Sequence, residues 1–132
     1  TLSVARIGEL IAFIKNIRPD IICMVDNCYG EFVERIEPSE VGADMIVGSL
    51  IKNPGGGLAP CGGYIAGTKE CVEQAAYRLS SPGLGKEVGA TLGVNQSFYQ
   101  GLFLLWCHVA FTGDFNIYVG HNKDLLFSFS IA

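Results

Sequence analysis

Two unbroken apolar runs, IICMV at 21–25 and MIVGSL at 45–50, constrain this chain more than any other feature. Neither alternates polar with apolar residues, so neither suits a strand with one wet face. Runs of this length suit strands covered on both sides. Each also ends abruptly. The first stops at Asp26 in the turn-rich DNCYG, and the second gives way to Lys52 and then NPGGG.

The flanking segments supply the covering layers. Val4, Ile7, Ile11, Ile14 and Ile17 recur at helical spacing, with Thr1 or Ser3 available as the cap. Pro19 disfavours helical geometry at Arg18 and predicts the stop there. After the glycine-rich stretch 55–63, GYIAG predicts a short strand. A helix capped by Thr68 follows, with Val72, Ala75, Ala76 and Leu79 on one face. SSPGLG breaks it, and a long helix is predicted from about Lys86 to Ala110. Helix, strand, strand, strand and two helices predict a layered α/β arrangement. Residues 111–132 have no clean period and stay unplaced.

Composition narrows the setting. At 132 residues the chain is one domain, yet only 17% of residues are charged and 49% are hydrophobic, against about 25% charged in ordinary soluble domains. That leaves too little polar surface for a free-standing monomer. The chain is expected to be the interior-rich part of a larger protein, or a subunit with an extensive interface. A net charge of -4 gives no basic footprint, which excludes nucleic acid as a partner. The cysteines at 23, 28, 61, 71 and 107 form no CxxC pair and no metal-finger spacing with His108 or His121. Reduced thiols in a cytoplasmic protein are expected. GLFLLWCHVAF is about half a membrane span, so a core helix, not a membrane anchor, is expected.

Asp26 and Lys52 each sit just past a buried run. In open α/β sheets, ligands bind beyond the carboxyl ends of the strands. If both strands lie parallel in one sheet, a carboxylate and an amine reach one crevice, suited to acid/base work or to a charged cofactor. The plainer alternative is an Asx-turn at Asp26 and a solvated lysine in a loop. Ser49 and Lys52 also spell S-x-x-K, the serine acyl-transfer pattern. Here the four residues follow a strand run, and neither S-D-N nor K-T-G occurs. The glycine-rich PGGGLAPCGG lacks both a GK[ST] ending and a G-x-G-x-x-G. Its glycines are expected to make tight turns near a cofactor or neighbouring subunit.

VDNCYGEFVE, GSLIKNPGGGLAP, GGYIAG and AAYRLSSPGLGKEVGATLGVNQSFYQGLF together resemble the fold type I pyridoxal-phosphate enzymes. Within them the chain is similar to the methionine gamma-lyase-like, aluminium resistance protein family of the cysteine/methionine-metabolism group. The resemblance runs from about residue 5 to 108. It implies part of a three-layer large domain with a mostly parallel sheet, covering 1–110, while 111–132 does not match. It implies pyridoxal 5'-phosphate as cofactor, with Lys52 as its Schiff-base lysine and the proton-carrying base. Asp26 would face the pyridine nitrogen and Ser49 the phosphate. The implied reaction is β- or γ-elimination of a sulfur group from an amino acid. An apolar setting is expected to disfavour the Lys52 ammonium. The family also implies a homo-oligomer, with residues 80–87 near a subunit boundary. Family members are several times longer, so a fragment inactive by itself is expected. The alternative is a non-catalytic remnant serving only folding or association.

Overall fold

The computed structural model describes residues 2–87, 93–112 and 126–130. Helix α1 spans Val4–Ile17, and Ser3 caps it by accepting from the Arg6 N–H at 3.3 Å. Val4 and Ile11 are buried and Ile7 packs against the core, whereas Ile14 and Ile17 of the same predicted face are exposed. The predicted stop at Arg18 is observed.

Strand β1 (Met24–Asp26) pairs in parallel with β2 (Met45–Ser49), placing Asp26 opposite Val47. The connection between them carries a short 3-10 turn at Pro38–Val41. Strand β3 (Gly63–Gly67) runs antiparallel to β2, and β4 (Leu126–Ser130) antiparallel to β3, giving the order β1-β2-β3-β4. The expected mostly parallel sheet is therefore corrected to a mixed one. The cause is the connection 50–62, which holds only a 3-10 turn at Asn53–Gly55. Without a crossover helix it returns the chain at the same end of the sheet. The fourth strand comes from the stretch with no legible period.

Helix α2 (Lys69–Leu79) begins at the predicted cap, where Thr68 Oγ1 accepts from the Cys71 N–H. Helix α3 (Asn95–Thr112) starts well after Lys86. Gly85 and Gly93 take positive φ values of 58° and 70°, a conformation no α-helix uses; residues 88–92 of the predicted helix lie outside the described residues.

Ile11, Cys23, Ala43, Ile46 and Ala66 form one core cluster. Leu50, Ala59 and Phe98 form a second, and the Tyr64 ring packs against both. Leu50 is 1% exposed, a burial that contributes about 2 kcal/mol. The second cluster joins α3 to the loop after β2. A Cβ on Gly55 would lie 1.6 Å from the Leu50 carbonyl oxygen, and one on Gly101 would lie 2.0 Å from the Gly55 carbonyl oxygen. Gly55 and Gly101 thus allow backbone-to-backbone packing within the chain. Among the described residues, no helix is long and apolar enough to cross a membrane.

Candidate active site

The parallel pairing of β1 and β2 brings Asp26 and Lys52 to one end of the sheet. Asp26 is the last residue of β1, and Lys52 follows Ser49, the last residue of β2, in the adjoining turn. Ser49 is half-buried and paired with Gly63 of β3. A serine in a strand and a lysine in a turn do not share a helix face, which removes the acyl-transfer geometry.

Asp26 makes the Asx-turn that the plainer alternative anticipates: its Oδ1 accepts from the Cys28 N–H at 3.0 Å. That N–H, helped by the Cys28 side chain and the more distant Lys52, holds the exposed carboxyl below its ordinary range despite some desolvation. Lys52 lies with Nζ 4.7 Å from the centroid of the Tyr29 ring, within cation–π range. A hydrogen bond with the Cys28 side chain holds the Lys52 ammonium above the ordinary lysine range. Desolvation opposes this, while Cys28, Tyr29 and Asp26 add to it electrostatically. The expectation of a disfavoured ammonium is thus corrected, because the amine is only partly buried and faces three groups that favour its charge. The Asx-turn is present, and Tyr29 of the loop that follows it meets Lys52.

Sequence reasoning missed what stands behind this loop. Tyr29 and Phe32 have positive φ values of 66° and 60°, a region that non-glycine residues seldom occupy. Asn27 is buried; its N–H donates to the Val47 carbonyl at 2.8 Å and its Nδ2 to Glu37 Oε2 at 2.8 Å. Glu37 Oε1 accepts from the Phe32 N–H at 2.9 Å. Glu31 is buried, and its Oε1 accepts from the Tyr64 hydroxyl at 3.1 Å. Burial pushes the Glu31 carboxyl up, with the N–H groups of Glu31 and Tyr29 and the Tyr64 hydroxyl pulling the other way. Burial and Glu31 push the Tyr64 phenol far above the tyrosine range, so it stays protonated. A buried glutamate within an acid-rich connector carries no sequence signal of its own. Only the turn-rich composition of DNCYG pointed here.

The methionine gamma-lyase family model matches residues 1–113. A Listeria innocua protein described as a candidate cystathionine beta-lyase involved in aluminum resistance is 60% identical. It superposes with a TM-score of 0.74 over 80% of this chain and 26% of that one. A Clostridium novyi carbon-sulfur lyase involved in aluminum resistance is 58% identical, with a TM-score of 0.75 over 84% of this chain and 26% of that one. The uncharacterized protein YnbB of Bacillus subtilis is 55% identical over 101 residues, 76% of this chain and 24% of that protein. The chain thus spans about a quarter of the length of these relatives. With 113 of its residues matched, it belongs to the methionine gamma-lyase family.

Proposed function

We propose that this chain carries the lysine-bearing core of a pyridoxal-phosphate-dependent carbon–sulfur lyase. One observation carries the reading: Asp26, at the end of β1, and Lys52, in the turn just after the parallel β2, lie at one end of the sheet in a chain whose relatives are named as lyases. The donor set suits the cofactor. A carboxylate held ionised fits beside a protonated pyridine nitrogen, and a primary amine and a hydroxyl lie on the adjacent strand end. When bound, pyridoxal phosphate supplies an aldehyde that takes up amines and a ring that accepts electrons from a substrate α-carbon.

The chain's own residues do the rest. Lys52 Nζ must first lose a proton, because only the free amine is a nucleophile. Asp26, anchored by its bond from Cys28, keeps a proton on the ring nitrogen. Ser49 donates its hydroxyl to the phosphate. Lys52 Nζ then takes the α proton from a sulfur-containing amino acid and returns it later in the elimination, at the β or the γ position. Free thiols at Cys23, Cys28, Cys61 and Cys71 suit a cytoplasmic enzyme. Exposed apolar residues such as Phe13 and Ile17 suit assembly as a homo-oligomer.

The test is a pyridoxal-phosphate titration of the complete protein, read by visible absorbance and by thiol release from cystathionine or methionine. Lys52→Ala is expected to abolish the absorbance band and turnover. Asp26→Asn is expected to keep binding and lower kcat by a hundredfold or more, about 3 kcal/mol of barrier. A colourless wild-type protein, or a Lys52→Ala variant with an undiminished band, contradicts the reading.

A further inference from the structure

We infer that the buried hydrogen bond between Tyr64 and Glu31 fixes the loop 27–32 and thereby sets the surroundings of Lys52, which makes both residues positioning residues for that amine. The importance of the amine rests on the reading above; the positioning rests on geometry alone.

The loop needs an external hold, since Tyr29 and Phe32 both occupy the left-handed region. Asn27 and Glu37 secure it to β2 and to its own connector. Tyr64 is different, because it reaches the loop from β3, on the far side of β2. The two side chains meet over Gly48: a Cβ there would lie 2.4 Å from Glu31 Oε1 and 2.4 Å from the Tyr64 ring. The missing side chain in β2 is therefore the space the pair occupies. Glu31 is 6% exposed, and its other neighbours are the acid of Glu37 and the N–H of Tyr29. Two residues back along the same loop, Tyr29 presents its ring to Lys52 Nζ. The loop also supplies Cys28, and with Asp26 these are the groups that face the amine. Breaking the Tyr64 bond removes the donor that reaches the buried carboxyl from β3 and frees the loop to carry Tyr29 and Cys28 away.

The experiment follows the Lys52 ε-carbon resonance through a pH titration of the complete protein labelled with 13C-lysine, without cofactor. The resonance is assigned by Lys52→Arg. Tyr64→Phe is expected to lower the midpoint by about half a unit, as does Tyr29→Leu, since each withdraws a surface cation–π contact. Glu31→Gln keeps an acceptor for the Tyr64 hydroxyl and is expected to titrate with the wild type. A Tyr64→Phe midpoint equal to the wild type overturns the inference. If Tyr64→Phe loses its near-ultraviolet circular dichroism, Glu31→Met breaks the same bond from the other side and is judged by the same criterion. A shifted midpoint in a protein that never takes up pyridoxal phosphate sustains the positioning role while the proposed function fails. An unshifted midpoint in a protein that does take it up does the reverse.

Discussion

At residue scale, Cys28, Tyr29 and Asp26 hold Lys52 in its charged form, so the amine must lose that proton before it can act as a nucleophile. Asp26 and Lys52 stood out in the sequence because each follows an apolar run, where polarity changes abruptly, whereas Ser49 was singled out by the S-x-x-K spacing and the family resemblance. Glu31 and Tyr64 were not, because their bond joins residues 33 positions apart and a buried acid looks like any other in a charged connector. Gly48 was equally silent, since a glycine within a strand announces a close approach without naming the partner. Its role can be measured. Gly48→Ala forces a methyl group into Glu31 and Tyr64 and is expected to cost about 1–3 kcal/mol in urea unfolding. Stability equal to the wild type would mean the pair is free to move aside.

At the scale of elements, α1, α2 and the first three strands were legible because their caps, breakers and periods agree locally. What escaped was decided by pairing. The antiparallel β3 follows from a connection without a crossover helix, and β4 from a partner found only in three dimensions. The joint between α1 and β1 is equally non-local. Asp44 Oδ2 accepts from the Cys23 N–H at 2.7 Å and meets Lys15 Nζ at 2.7 Å, tying the end of α1 to the start of β1 across the foot of β2. Burial would raise the Asp44 carboxyl, but the Cys23 N–H and Lys15 outweigh it and hold it below the ordinary range. A carboxyl lowered by folding contributes stability above its unfolded pKa of about 4 and loses it as pH falls through the lower folded value. Asp44→Asn is therefore expected to cost about 1 kcal/mol at pH 7, with the deficit closing in acid. A deficit constant from pH 7 to pH 3 would assign the cost to packing.

At the scale of the whole molecule, the low charge content goes with large apolar side chains left exposed. Phe13 is 65%, Ile17 63% and Phe103 63% exposed, apolar surface of the kind that contacts with another chain or domain would bury. The chain spans about a quarter of its relatives, so catalysis is properly tested on the complete protein. The sheet nevertheless holds the central pair, and one chemical measurement bears on it directly: borohydride reduction of the protein mixed with pyridoxal phosphate, followed by peptide mapping. A stable pyridoxyl group is expected on the peptide bearing position 52. Label on another lysine, with 52 unmodified, would contradict the assignment of this amine as the cofactor's anchor.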